Sequence, residues 1–432
     1  MKLKILSLGL ILLLISSAFI PLSSSKISKI QQDNKFSIKI LENSIVYIES
    51  ESSYEYGLGI GKEYRSTFRL LNFLTHLTKT KAVEDAEAEN TLSDLQDYFP
   101  SIYDQLRGLS DGSNIKMSRL IKISEFLSSF YDGQCTVTIS TGNATKNNDT
   151  FLTFNIDFKI GSLSQIIKRF ILRLMTYKLH IAKINTIRYS YVYFGIPIIY
   201  EWPFLNEEGL GWGEPGTTLT ENKSRYIDTG PGISTLFLDK LTMMTCKNVS
   251  EVVTLWKTLE RASGAKGKWP NWFDGSTSGW CDKEGGIVFI EQTHNYFIAA
   301  FGNSTDVTKS KEDILWHSNH HIWLDPNLTG SKFPEEYVGS DLREKRSHEL
   351  LLENYGSITL ETCKMICRDH GGGYDPDKPD SGDICRHYDK NSASTTAFSI
   401  IIMPKDLTIY MTHGHPCRKI FWKYDFSKVF EK

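Results

Sequence analysis

The hydrophobic period of this chain changes at Cys135, and that change limits what it can fold into. Ahead of it, Phe68, Leu71, Leu74 and Leu77 recur at helical spacing, and residues 92–109 and 115–130 read as two more amphipathic helices about a Ser110-Asp111-Gly112 turn. A short strand at Val46–Ser50 precedes them, and the alternate glycines of YEYGLGIG (54–61) predict a turn where backbone approaches backbone. After Cys135 the texture is β: CTVTIS (135–140) and TFLTFNIDF (150–158) flank a polar loop. Strands follow within 186–200, 287–290, 296–301, 397–403 and 407–412, with two helices at 343–353 and 358–369. Strands, then helices, then strands point to an α+β or layered fold and away from a doubly wound sheet. No internal repeat and no dinucleotide or phosphate-loop glycine pattern occurs.

Composition narrows the class further. Lys+Arg (49) and Asp+Glu (51) nearly cancel over 432 residues, so no charge excess points to nucleic acid. At 40% hydrophobic and 23% charged, the chain is not a disordered one. Residues 1–25 read as a signal peptide: Lys2 and Lys4, an apolar run over 5–20, then Pro21 and small residues. The other reading is an uncleaved anchor, for which the run is short of the usual ~20 residues. Sequons at Asn143, Asn148, Asn222, Asn248, Asn303 and Asn327 then predict a glycosylated secreted or lysosomal protein. Residues 158–200 hold seven Lys/Arg and no acid, and 163–179 reads either as a lipid-surface or acyl-chain contact or as an ordinary surface helix.

The strongest chemical signal is Cys135 itself. Asn155-Ile156-Asp157 comes at the end of the next strand, and in a hairpin the start of one strand and the end of its partner are neighbours. Seven cysteines are an odd count. Cys246, Cys281, Cys363, Cys367, Cys385 and Cys417 can form three disulfides and leave Cys135 over; the bland alternative puts Cys135 in a bridge. A zinc reading also exists, Cys363-x3-Cys367 with Cys385-x-His387, while His413 and His415 lack the helical i,i+4 spacing. In an oxidising compartment disulfides are the commoner use, so no metal and no cofactor is expected.

These segments together resemble the penicillin acyltransferase-like branch of the N-terminal-nucleophile hydrolases, related to choloylglycine hydrolases and acid ceramidase-like amidases. The resemblance runs in order over roughly residues 50–425. It includes YEYGLGIGKEYR, YFPSIYDQLRGLSDGSN, CTVTIS with FNIDF, NEEGLGW, HSNHH, RDHGG, ICRH, TTAFS and GHPC. It implies a four-layer αββα sandwich and a cut at Gln134–Cys135. That cut would leave an α piece (26–134) and a β piece (135–432) in one catalytic domain. It also implies roles: Cys135 as nucleophile, its freed α-amine as base, Asp157 orienting the amine, Asn155 on an oxyanion or holding the strand end, and Arg343 (rather than Arg346) near the site. The chain departs from the family at Phe154, where some relatives carry Arg. It departs again at Gly213-Glu214-Pro215-Gly216, where an oxyanion-hole Asn is common. Asn319 is a substitute donor, although His317, Asn319 and His320 also read as a buried polar network.

The implied chemistry has a physical reason. A thiol attacks only as thiolate, and at neutral pH a cysteine is mostly protonated. Cutting the bond before it frees an amine of pKa near ~8 on the same residue, so one residue supplies nucleophile and base. The expected activity is amide hydrolysis or acyl transfer on a small-molecule or lipid-like N-acyl substrate. A phospholipase-B-like lipid hydrolase and a non-catalytic secreted glycoprotein are the alternatives.

Overall fold

The structure, a computed structural model, describes residues 31–33, 35–77, 85–128, 134–159, 178–220, 222, 224–230, 232–233, 235–261, 276–371, 382–387 and 394–431. The signal segment and most of 163–179 lie outside these residues. Among the described residues no helix is long and apolar enough to cross a membrane. The chain divides into two compact units, one of residues 1–128, 171–188 and 194–201, the other of 129–170, 189–193 and 202–432.

The first unit opens with β1 (Gln31–Asp33), β2 (Phe36–Ile40) and β3 (Val46–Ser50), antiparallel in that order. Five helices follow: α1 (Ser53–Glu63), α2 (Arg65–Leu77), α3 (Asp85–Tyr98), α4 (Pro100–Ser113) and α5 (Met117–Ser128). The glycine segment is therefore a helix and not a turn. Ser52 caps it, accepting from the Glu55 N–H at 3.1 Å. The close approach that the glycines signal is real, but it is made by two helices. A Cβ on Gly57 would stand 2.0 Å from the Gln105 carbonyl oxygen, and one on Gly108 2.1 Å from that of Tyr54. Gly61 and Gly112 repeat this one turn on, so α1 and α4 touch backbone to backbone. The expected helix over 92–109 is broken at Phe99-Pro100, because proline has no N–H to donate and suits a first helical position. The chain runs through Ser110-Asp111-Gly112 as helix and stops at Asn114, which takes the left-handed conformation at φ 59°.

In the second unit, β13 (Ile314–His317), β4 (Thr136–Ser140), β5 (Phe151–Lys159), β14 (Ser394–Met403), β15 (Thr408–Met411) and β16 (Trp422–Asp425) form one sheet in that order. Every pair is antiparallel. Between β5 and β8 in the chain come β6 (Leu179–Ile184), which pairs in parallel with β3, and β7 (Tyr191–Ile196). A second antiparallel run joins β8 (Tyr200–Asn206), β9 (Gly211–Gly213), β10 (Ser276–Cys281), β11 (Ile287–Gln292) and β12 (Phe297–Phe301). The two sheets meet face to face over glycine: a Cβ on Gly213 would be 3.0 Å from Leu152 and 3.3 Å from Phe154. Phe154 is thus a sheet-to-sheet packing residue, edge-on to Trp212 with centroids 6.1 Å apart.

Helices close both outer faces. α6 (Thr235–Thr245) and α7 (Val249–Thr258) cover β9 to β11; Asp239 of α6 accepts from the Trp212 indole at 3.0 Å. α8 (Val338–Glu353) and α9 (Leu360–Cys367) cover the other sheet. Leu350, Leu351, Cys363, Ile366 and Cys367 pack there against Phe151, Trp316 and Ile401. Helix, sheet, sheet, helix is the expected αββα layering. None of the seven cysteines is disulfide-bonded, against the expected three bridges. Cys363 and Cys367 instead serve as apolar side chains in the outer core, and Cys281 packs on Gly211.

Candidate active site

Cys135 is fully buried and stands just before β4, which lies between the edge strand β13 and β5 in the six-stranded sheet. The register places Thr136 opposite Asn155 and, across β5, Asp157 opposite Thr396. The hairpin geometry expected from the sequence is therefore present. Side chains alternate along a strand, so Asn155 and Asp157 share the face of Phe151, toward α8 and α9, while Phe154 takes the inter-sheet face. Asp157 is wholly buried and accepts from the Thr396 hydroxyl at 2.7 Å. Its second oxygen, Oδ2, takes no hydrogen bond from the described residues. Burial pushes this carboxyl up to about 6, with Arg386, Arg343 and the Thr396 bond pulling the other way.

Arg343 reaches Cys135 from α8. Ser340, Arg343 and Ser347 are buried at successive turns, which is the inward face of that helix. The guanidinium donates to the Cys135 carbonyl, to Thr136 Oγ1 at 2.8 Å, to Asn319 Oδ1 at 2.8 Å and to Gly339 O at 3.0 Å. Burial and then the like charge of Arg386 lower its pKa, and Asp157 opposes them. Arg346, three residues on, points elsewhere and grips Asp369 with two bonds of 2.9 and 3.1 Å.

Gln134, the residue before Cys135, is held by two groups that sequence reasoning missed. Its side-chain oxygen accepts from Arg386, and its side chain bonds the Tyr337 hydroxyl. Arg386 is tied in turn to Thr396 by backbone and side-chain bonds of 3.0 and 2.8 Å. Arg386 lies within the ICRH segment already singled out, so a signal for it existed. Tyr337 had none.

Asn155 spends both of its amide hydrogens, although its buried Oδ1 takes no hydrogen bond from the described residues, and Asn319 is engaged through nitrogen and oxygen alike. The Asn155 amide donates to Cys367 O at 2.9 Å and Ile384 O at 2.8 Å, which uses both its hydrogens and clamps two chain segments. That favours the strand-holding role over the oxyanion role. Asn319 donates to the carbonyls of Pro215 and Gly216 while accepting from Arg343, so it braces the arginine against the 213–216 stretch. The HSNHH segment is a buried polar network, as its second reading had it. Glu291 on β11 binds the His317 ring at 2.7 Å and accepts from the backbone N–H groups of Ile322, Trp323 and Leu324. His320 bonds Ser340 Oγ at 2.8 Å, and burial lowers its pKa to about 4.

Chemically, the arrangement presents a thiol at a strand start, a buried carboxylate with one oxygen open, and two guanidinium groups. One guanidinium is on the Cys135 carbonyl and the other on the preceding side chain. Among the sequence candidates, Gln134, Cys135, Asn155, Asp157, Asn319 and Arg343 all belong to this one hydrogen-bonded region.

No family model matches this chain, and no curated protein matches it. Similar solved structures include a variant of conjugated bile acid hydrolase from Clostridium perfringens, at 14% identity, TM-score 0.39, covering 68% of this chain and 93% of that one. Another is penicillin V acylase from Agrobacterium tumefaciens, at 12% identity, TM-score 0.38, covering 68% of this chain and 87% of that one. A second variant of the bile acid hydrolase gives 12%, 0.36, 68% and 97%.

Proposed function

We propose that this chain is a self-processing cysteine amidohydrolase of the N-terminal-nucleophile type, in the penicillin acyltransferase-like branch, acting on a non-peptide C–N amide of an N-acyl substrate. The observation that carries the reading is the clasp around the Gln134–Cys135 bond. Arg343 takes the carbonyl after the thiol, Arg386 and Tyr337 hold the side chain before it, and Asp157 keeps one buried oxygen open.

Processing begins with the Cys135 sulfur attacking the Gln134 carbonyl carbon. The C–N bond breaks, the departing nitrogen keeps its own hydrogen and takes one more as the α-amine, and Gln134 is left as a thioester. Water then cleaves the thioester to the Gln134 carboxylate and the thiol. In turnover the α-amine removes the thiol proton, and the thiolate attacks the substrate carbonyl. The leaving amine takes that proton. Water, or a second amine, releases the acyl group. Asp157 Oδ2 gives the new ammonium a charge-assisted partner, and a freed amine near Asp157 draws its carboxyl back toward ionisation.

The same reading places the protein in the secretory pathway, secreted or lysosomal. Of the six sequon asparagines, Asn143, Asn148, Asn222, Asn303 and Asn327 are exposed. The half-buried Asn248 uses its side-chain oxygen to cap α7, which leaves the nitrogen for a glycan.

The deciding experiment is a denaturing gel of purified protein with N-terminal sequencing of the fragments. Wild type should yield a chain beginning Cys135-Thr136, and Cys135→Ala should remain one chain. Amide turnover by an uncleaved wild type would overturn this mechanism.

A further inference from the structure

Two side-chain groups among the described residues can gather donor atoms around an ion. The first, His320 with Asp341 and Glu344, spends its donors on the protein: His320 on Ser340, Asp341 on Lys345, Glu344 on the Trp316 indole. The second brings two thiols together with two imidazoles. His370, Cys385, His387 and Cys417 each offer one ligand atom, and the four atoms lie within 4.8 Å of one another. We propose that these four residues form a closed tetrahedral zinc site that staples three chain segments together beside the nucleophile.

The donor set is the first reason. Two thiolates and two imidazoles are the structural zinc set, and a tetrahedral S2N2 arrangement selects zinc over harder cations. With Zn–S near ~2.3 Å and Zn–N near ~2.0 Å, ligand atoms around one tetrahedral ion stand roughly 3.3–3.8 Å apart. His387 Nε2 is 3.2 Å from Cys417 Sγ and 3.8 Å from Cys385 Sγ. One ring nitrogen thus faces two sulfurs at ligand-to-ligand spacing, and a single proton on it could serve only one of them.

Preorganisation is the second reason. The three segments are already joined by hydrogen bonds, one between backbone groups and one from an arginine side chain, that involve none of the ligand atoms. Cys385 N–H donates to Asp369 O at 2.9 Å, and Arg368 Nε donates to Pro416 O at 3.0 Å. The surroundings also hold the rings. His415 stacks on His387 with centroids 4.2 Å apart, and Asp383 stands 3.7 Å from His370 Nδ1, the kind of outer partner that orients a ligating histidine. Binding replaces the two thiol protons, which go to solvent, and leaves Zn2+ with two thiolates and two neutral rings at zero net charge.

The site departs from the ligand set that the sequence suggested. Cys363 and Cys367 are core residues, and His370 and Cys417 take their places. Two of the ligands, Cys385 and His387, flank Arg386, the residue that grips Gln134. The ion therefore sets the position of an arginine at the proposed processing point, although zinc binding itself does not depend on processing.

The test is elemental analysis of full-length protein purified without added metal or chelator, in wild type and in Cys135→Ala. Both should carry about one zinc per chain, and Cys417→Ser and His370→Ala should each lose most of it. Cys385 and Cys417 should become reactive to alkylation only after chelation. Should those variants fail to fold, cobalt exchanged into wild type decides the matter, since a tetrahedral cobalt–thiolate spectrum is expected. Four results would each overturn the proposal: zinc-free wild type with no such cobalt spectrum, a Cys385–Cys417 disulfide in a non-reduced peptide map, thiols equally reactive with and without chelator, or zinc undiminished in both variants.

Discussion

Asp157 should make the fold less stable at neutral pH than its amide counterpart. The carboxyl is wholly buried, and burial outweighs two guanidinium groups and a hydroxyl in taking it from 3.8 to about 6. The folded pKa lies above the unfolded one, so between those values the folded chain binds the extra proton. Stability therefore falls as pH rises through that window and is lowest above it. At ~1.4 kcal/mol per pH unit, the ionised group costs the fold about 3 kcal/mol near neutrality and almost nothing near pH 4. Asp157→Asn removes the charge and keeps an oxygen to accept from Thr396. The comparison belongs in the Cys135→Ala background, where both proteins stay single chains and no new amine appears. Urea unfolding should show the Asn variant more stable by about 3 kcal/mol near pH 7.5, with the gap closing by about pH 4. The same substitution in the otherwise native chain should slow amide turnover by about two orders of magnitude or more. An Asn variant less stable than its parent near neutrality would refute the reasoning, because the two arginines would then outweigh burial.

Three further outcomes follow from particular contacts. Gly108→Ala sets a methyl 2.1 Å from a backbone oxygen of α1 and should destabilise the protein by about 1–3 kcal/mol or more, read as a lowered melting temperature; an unchanged melting curve would mean that α1 and α4 do not meet this closely. Arg343→Lys keeps the charge but loses the fork that reaches Cys135, Thr136 and Asn319 together, so cleavage at Gln134–Cys135 should slow by about 100-fold in a timed gel assay; a native rate would remove Arg343 from the site. Asn155→Leu strands the carbonyls of Cys367 and Ile384 and should cost about 2 kcal/mol or more in denaturant unfolding, which a fully stable variant would contradict.

What the sequence revealed tracks how local each feature is. Cys135 and Asp157 were legible because one hairpin joins them, and the alternation of CTVTIS and FLTFNIDF sets its register. The break at Pro100 was hidden because apolar spacing continues through it, from Leu95 and Phe99 to Ile102. The glycines at 57, 59 and 61 announced a close approach, but its other half, Gly108 and Gly112, lies some fifty residues away. Arg343 and Arg346 sit about 60° apart on one helix, so periodicity separates them poorly; only packing sends one to Cys135 and the other to Asp369. Tyr337 and Arg386 reach Gln134 from far along the chain, and no spacing announces such a meeting. The cysteines misled because pairing was argued from their number, whereas burial in the outer core and the company of histidines decide their use.

Glu291 shows what a neighbouring strand can do for a loop. Three successive backbone N–H groups at 322–324 converge on its carboxylate, together with the His317 ring, in the manner of an anion cradle. Here the anion is tethered, delivered by β11 from the same chain. Its effective concentration is set by the fold and cannot be diluted away, so the loop draws no ion from the medium to fill its cradle. Asn319 lies inside that loop, and through it the bearing of Arg343 on Cys135 is fixed by a side chain that touches neither.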